Sequence, residues 1–475
     1  MGFFPLKYVL FAAFFIAFTV WTVYLQIKRN KTAFAKIFIL FLIPVGMLYV
    51  FFVPPTVVPD EHAHMLKAYE VSTGRLVTEQ PEDHAPEIFV PRFLESHELE
   101  LCTTYEQFNT LLKEKTDYND MVADQTSAAS YSFLSYIFSG FGFFIGRIFS
   151  INGLLAFYLA RIFNYAFFIF AIYMSIKIIP IGKYTVAVVA FLPMVLQQAA
   201  SLSADSMLDS CAVLFISMTL YIKNKPEPFS IWEKVIYTIL SVFIIISKIA
   251  YLPLLGISLL LLKTENKDEK IKKRWGYLII NVIIAIGIGA FWYRFAQNYF
   301  AVDSFKEYFT AANVDSARQI DMIKSAPKHL HKAIEKFFLH DAGMLLNTIG
   351  LSLGWLNIDI GMGPVVGFLI MLAISPCFGA EKKALNILEK VWFWVITVSV
   401  YLIIGVGFYL TWTGVGADSI AGAQGRYFLP VLMLPFLASY NNRSSISYKH
   451  QECIFPLILA AFNIVVVYSI SVNFF

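Results

Sequence analysis

Charge is scarce in this sequence. Only 15% of its 475 residues are Asp, Glu, Lys or Arg, against about 25% in a soluble globular chain, which excludes water as the main solvent. Cysteine is scarcer still: Cys102, Cys211, Cys377 and Cys453 are scattered, and three fall in or beside apolar segments. They build neither a disulfide framework nor a zinc spacing, so redox chemistry is not suggested. A strong net charge is also missing. The balance of +4 sits in short loops, where it reports membrane orientation rather than nucleic-acid binding, and nucleic acid is not expected as a partner. No internal repeat or low-complexity tract stands out. The first apolar stretch, Tyr8 to Leu25, has only Lys7 ahead of it and Lys28, Arg29 and Lys31 behind, with no small-residue cleavage site. It reads as a retained span.

Hydrophobic residues make up 58% of the chain, and the mean hydropathy is +0.65. Apolar stretches of roughly 17 to 25 residues recur between short basic connections, the pattern of transmembrane helices rather than barrel strands. Lys and Arg cluster at Lys28 to Lys36, Lys177 and Lys183, Lys223 to Lys234, Lys263 to Arg274, Lys382 to Lys390 and Arg443 to Lys449. Placing all of these in the cytoplasm requires spans near 8–26, 36–53, 154–178, 184–200, 207–222, 232–247, 249–262, 277–294, 361–378, 391–410, 428–440 and 453–472. The expected fold is an all-α integral membrane protein, a single polytopic domain of about twelve helices with both termini outside. Two loops then face outward, 54–153, with 131–149 as an interfacial helix, and 296–345. From Asp60 to Asp124 the first loop carries fifteen Asp and Glu against five Lys and Arg, which makes it a solvated cap rather than an anchor on anionic headgroups.

Four sites in this layout carry chemistry. The second span exits through Pro54-Pro55-Thr56-Val57-Val58-Pro59 into Asp60-Glu61-His62-Ala63-His64, so prolines fix where two adjacent carboxylates sit. A carboxylate at the bilayer edge is partly desolvated, which raises its basicity toward a hydroxyl nucleophile; Asp60 equally suits a helix N-cap. His62 and His64, two apart, point to different sides of a helix and are not read as metal ligands. Asp205, in Ser201-Leu202-Ser203-Ala204-Asp205-Ser206, lies in the next outer turn, where Ser203 and Asp205 are also N-cap types. Asp209 lies one turn deeper, where burial in the membrane costs more. Lys248, in Ser247-Lys248-Ile249-Ala250-Tyr251-Leu252-Pro253, sits between two short spans and needs the interface or a counter-ion, since a mid-bilayer charge costs roughly 2.5 to 3.5 kcal/mol. Arg426, in Gln424-Gly425-Arg426-Tyr427-Phe428-Leu429-Pro430, belongs to the same face and has the fork that phosphate prefers. Together they suggest a phosphate clamp, with snorkelling as the competing account. Arg161 and Arg294 read as interfacial anchors.

These motifs, taken in order, resemble a bacterial polytopic membrane family of unknown function, with V-P-D-E-x-A-H and Q-G-R-Y-F-x-P signatures, that is grouped with the GT-C glycosyltransferases. The resemblance runs from about Ile37 to about Leu459. It implies a GT-C-like bundle, an inverting transfer from a polyprenyl-phosphate sugar donor to a glycan or glycolipid acceptor of the cell envelope, and an active site on the extracytoplasmic face of the cell membrane. On that resemblance Asp60, Glu61 and Asp205 are the catalytic carboxylates, with Asp60 as general base, and Lys248 and Arg426 bind the donor phosphate. His64, Gln424, Tyr427 and Tyr251 are candidate substrate contacts. No motif assigns a cofactor; a divalent cation is compatible with the reading. The first span departs from the GT-C pattern, which has one helix before the acidic loop. The rival readings are a polyprenyl-lipid or glycan transporter or flippase, which would bury charges along a path through the spans, and a non-catalytic component of a polysaccharide-assembly complex.

Overall fold

In a hydrocarbon solvent an apolar run can satisfy its backbone N–H and C=O groups only within itself, so helix is the conformation available to it. The computed structural model describes residues 34–78, 87–95, 104–262, 271–296, 306–340, 342–379, 385–440 and 446–474, with isolated helical positions between Ala17 and Tyr24. Helix α1 (Phe34–Phe52) contains Pro44 and ends in the proline-rich turn that leads to α2 (Glu61–Ser72). The rest of the first loop holds α3 (Tyr105–Lys113) and a two-stranded antiparallel ribbon, β1 (Glu87–Pro91) with β2 (Met121–Gln125), with Phe89 opposite Ala123. A 3-10 turn at Phe133–Tyr136 continues into α4 (Ile137–Ile148), which packs on α2 and on α5 (Gly153–Ile178).

Next come α6 (Lys183–Phe191) and α7 (Pro193–Ala199), one apolar segment divided by Pro193. The proline ring disfavours helical backbone in the residue before it, and Leu192 is extended at φ −58°, ψ 135°. Helix α8 (Ala204–Asn224) lies at the centre, with nearly all its length buried. Against it pack α9 (Ile231–Ser247) and a 3-10 run at Ile249–Leu262, and α10 (Ile271–Ala296) packs on both of these. The second loop and the stretch after it contain α11 (Lys306–Ala311), α12 (Ser316–Ser325), α13 (Lys328–Glu335), α14 (Ala342–Ile349) and the short ribbon β3 (Ser352–Leu353) with β4 (Ile358–Asp359). Four helices finish the chain: α15 (Met362–Ile374), α16 (Ile387–Thr411), α17 (Leu429–Ala438) and α18 (Gln451–Phe474).

Helix starts are marked by polar caps. Asn152 accepts hydrogen bonds from the Leu154 and Leu155 N–H groups, and Ser203 accepts from Asp205 N–H. Full capping boxes join Ser230 to Glu233 and Asn386 to Glu389, which satisfies N–H groups the helix itself leaves unpaired.

Every expected span from 36 to 472 is helical, and a count of about twelve crossings is not confirmed among the described residues. Six described helices, α1, α5, α8, α10, α16 and α18, are long and apolar enough to cross a membrane. The stretch 184–200 is interrupted at Pro193, 249–262 winds as 3-10 helix, and α17 has only ten residues. Basic clusters identify which end of a segment faces the cytoplasm but do not measure its length. The expected span 8–26 lies outside the described residues, apart from the isolated positions above. Cys211, Cys377 and Cys453 are free thiols; Cys102 lies outside the described residues.

Candidate functional site

The exit of α1 is strained before it reaches the first carboxylate. Thr56 and Asp60 both adopt left-handed backbone, φ 62° and 64°, which a β-branched residue such as Thr rarely tolerates. The strain is held by a buried knot. Glu61, 0% exposed, receives two hydrogen bonds from Arg161 of α5, Nε to Oε1 at 2.8 Å and Nη2 to Oε2 at 2.6 Å. Thr56 N–H and Leu202 N–H donate to the same carboxylate at 3.0 and 3.1 Å. Arg161 also donates to the carbonyls of Val50, Val53 and Pro54 at the end of α1. One turn further along α5, Asn164 donates to the Ser201 carbonyl at 2.6 Å. A single face of α5 therefore fastens the α1 exit, the start of α2 and the turn before α8.

That knot places Asp60 and Asp205 on either side of Arg426. Asp60 does not cap α2, since its side chain makes no capping bond; it meets Arg426 Nη2 at 2.5 Å, while Arg426 Nη1 donates to the Pro59 carbonyl at 3.1 Å. The capping role before α8 belongs to Ser203. Asp205 instead bonds Lys248 Nζ at 2.5 Å through Oδ1 and stands 4.0 Å from Arg426 Nε through Oδ2. The result is a chain of alternating charge, Asp60, Arg426, Asp205 and Lys248, drawn from four separate stretches of sequence. Both cations lie over the Tyr427 ring, Lys248 at 4.7 Å and Arg426 at 5.2 Å from its centre, a favourable cation–π geometry. Asp60 is the open end of the chain, with its side chain 42% exposed; Arg426 at 4% and Asp205 at 9% are enclosed.

The connections explain why these residues share one end of the bundle. Asp60 follows the C-terminus of α1, Asp205 opens α8, Lys248 closes α9, which runs antiparallel to α8, and Arg426 precedes α17. The opposite end of α8 is lysine-rich, with Lys223 paired to Glu389 at 2.7 Å and Lys225 to Glu233 at 2.5 Å.

Of the neighbours expected to contact substrate, Tyr251 donates its hydroxyl to the Tyr427 carbonyl at 2.8 Å and braces the platform from the 3-10 run beyond Lys248. Tyr427 is itself stacked on Phe408 at 5.2 Å. Gln424 heads the 3-10 turn Gly425–Phe428, its carbonyl accepting from Tyr427 N–H at 3.1 Å. His64 lies one turn into α2, its Nδ1 2.7 Å from the Tyr136 hydroxyl and its ring edge-on to Tyr131. Burial pushes its pKa down to about 4 and outweighs the opposing pull of Asp60 and Asp205; His64 is neutral at neutral pH. Burial likewise pushes the Tyr131 phenol up to about 12.

Two expectations are corrected by this geometry. Glu61, expected as a catalytic carboxylate beside Asp60, is sealed against Arg161 and 0% exposed, so it is bonded into the protein and presents no surface. Arg161 is not an interfacial anchor, being fully buried; an arginine inside an apolar span, costly unless paired, was the signal that a distant carboxylate would meet it. Tyr131 and Tyr136, which surround His64, were not singled out by sequence reasoning, and nothing in their spacing distinguishes them from a membrane aromatic belt. Gly425 is required by close approach, because a side chain there would strike the backbone of Asn347 and Thr348 at the end of α14. Among the described residues no group of three or more His, Cys, Asp or Glu is placed to hold a metal ion.

No curated protein and no solved structure matches the chain. A family profile does match, over residues 40–435, which runs from within α1 to most of α17 and covers every member of the charge chain. The chain belongs to the family of predicted membrane proteins designated DUF2142.

Proposed function

We propose that this protein is a glycosyltransferase that moves a sugar from a polyprenyl-phosphate donor to a cell-envelope glycan or glycolipid acceptor at the extracytoplasmic membrane face, as its resemblance to GT-C enzymes implies. The observation that carries the reading is the meeting of Asp60, Arg426, Asp205 and Lys248 over one aromatic ring. Asp60, on the exposed edge, accepts the proton of the acceptor hydroxyl as its oxygen attacks the anomeric carbon. The bond from that carbon to the phosphate oxygen breaks, and the electron pair leaves with the polyprenyl phosphate. Arg426 and Lys248 stabilise the charge gathering there, in a site where burial strengthens each interaction. Before donor binds, carboxylates occupy both cations. A phosphate competes for the same donors, and Arg426 turning toward it releases Asp60 to act as base.

The test incubates purified protein with labelled polyprenyl-phosphate sugars and follows release of the sugar. Wild type turns over, and Asp60→Asn is slowed about 10²- to 10⁴-fold, the usual worth of a general base. Equal rates would remove Asp60 from that role. A lipid-transport reading draws on the helix interruptions at Pro193 and Lys248, and broken helices do line transport paths. It would be favoured by movement of lipid-linked sugar across vesicles with no transfer.

A further inference from the structure

One helical turn inward from Asp205 on the same face of α8, Asp209 is 5% exposed, and neither of its carboxylate oxygens has a hydrogen-bond partner. Two neighbours share that condition: the Ser206 hydroxyl and Arg426 Nε are buried and unbonded. The charged groups facing Asp209 are Asp205 from its own helix, Lys248 from the end of α9 and Arg426 from the segment before α17, with the Tyr251 phenol also near. Buried polar atoms in proteins are nearly always bonded, and a carboxylate among apolar spans is among the costliest to leave bare. Lys248 and Arg426 cannot serve it in full, since their closest bonds go to Asp205 and Asp60. The complement to this set is a neutral molecule that donates and accepts at several points, which is the chemistry of a polyhydroxylated ring. Position agrees with this. A helical turn is about 5.4 Å, close to the span of a hexose ring. Asp209 is enclosed before donor binds; a sugar on a phosphate that draws Lys248 and Arg426 off their carboxylates would meet it, while the acceptor side remains at Asp60.

We propose that Asp209, with Ser206 and Arg426 Nε, forms the subsite that holds the sugar hydroxyls of the lipid-linked donor. The inference rests on the glycosyltransferase reading above and assigns that site its sugar-recognising residue. Binding measures it without turnover, using the detergent-purified full chain with undecaprenyl phosphate alone and with undecaprenyl-phosphate glucose, mannose and galactose. Wild type binds at least one of the sugar-bearing lipids more tightly than the bare lipid phosphate. Asp209→Asn weakens that lipid about ten-fold, the effect of exchanging a hydrogen-bonding oxygen for an amide, and leaves bare undecaprenyl phosphate unchanged. Ser206→Ala loses part of the same increment, and Lys248→Ala weakens the bare and the sugar-bearing lipids alike. An increment that survives both Asp209→Asn and Ser206→Ala, in protein whose melting midpoint matches wild type, overturns the subsite and leaves the glycosyltransferase reading standing; that result is also the one expected if water alone bonds these atoms. Equal binding of sugar-bearing and bare lipid by wild type overturns the subsite as well. Failure to bind either lipid overturns the subsite together with the reading beneath it.

Discussion

Asp60 and Glu61 are neighbours in sequence and opposites in surroundings. The Asp60 side chain is 42% exposed, on strained backbone, and shares its arginine with a second carboxylate; Glu61 is 0% exposed and accepts from Arg161 and from the Thr56 and Leu202 N–H groups. The first arrangement leaves a carboxylate free to change partners, and the second leaves it none to change to. On the reading proposed above, function and stability divide between adjacent residues, with the Glu61–Arg161 knot holding still the turn that carries Asp60.

The sharpest way to break this division is to cut the knot. Removing one member of a buried ion pair strands the other charge and costs about 3–5 kcal/mol. Arg161→Met and Glu61→Gln are therefore expected to lower the melting midpoint severely, and Asp60→Asn, which removes a half-exposed carboxylate and leaves Arg426 with Asp205, to lower it less. The double variant Arg161→Met with Glu61→Leu should recover part of the loss, because a buried pair exchanged for apolar side chains is often neutral. Midpoints of all four in detergent decide it; an Arg161→Met protein as stable as wild type would show that the knot holds nothing.

Gly425→Ala tests the other wall of the site. The added methyl meets Asn347 and Thr348 backbone rather than a movable side chain, and overpacking of this kind costs about 1–3 kcal/mol. Since Arg426 is the next residue, the lipid-phosphate binding proposed above should fall with stability, whereas Gly407→Ala, which meets open space inside α16, should leave binding alone and raise stability by about 0.5–1 kcal/mol.

How far this site was legible in sequence follows from the range of the forces involved. Asp60, Asp205, Lys248 and Arg426 each stood out locally, as a proline-bracketed carboxylate, an acidic turn, or a cation stranded between apolar runs, and the structure brings all four together. The knot was legible only by half: Arg161 inside an apolar span called for a carboxylate, but Glu61 lies 100 residues away and nothing local marks it as the partner. Helix positions were readable from hydropathy, yet the number of crossings was not, since a segment such as 249–262 is equally apolar whether it spans or lies beside a cavity.

Lowering pH separates the regions by a smaller effect. Folding lowers the His64 pKa from 6.5 to about 4, so between those values the unfolded chain takes up a proton that the folded one refuses. Its contribution is complete above pH 6.5 and drains as pH falls toward 4, by about 1 kcal/mol between pH 7 and pH 5.5. The midpoint of wild type should therefore drop more over that interval than that of His64→Gln; parallel curves would place the titration elsewhere.

The smallest effect concerns backbone alone. Asp60 sits at φ 64° and ψ 4°, a conformation that Gly reaches freely and that costs a residue with a Cβ roughly 1–2 kcal/mol. Neither Asp60→Ala nor Asp60→Gly retains the carboxylate, so both lose the bond to Arg426 equally and the difference between them reports the strain. Gly should be the more stable by about 1 kcal/mol, even though Gly gives the unfolded chain more freedom. Should Ala equal or exceed Gly, the left-handed turn relaxes when the carboxylate leaves. The bond to Arg426, rather than the Glu61 knot, would then be what holds Asp60 in place, and the division between a fixed residue and a free one would shift by one position along the chain.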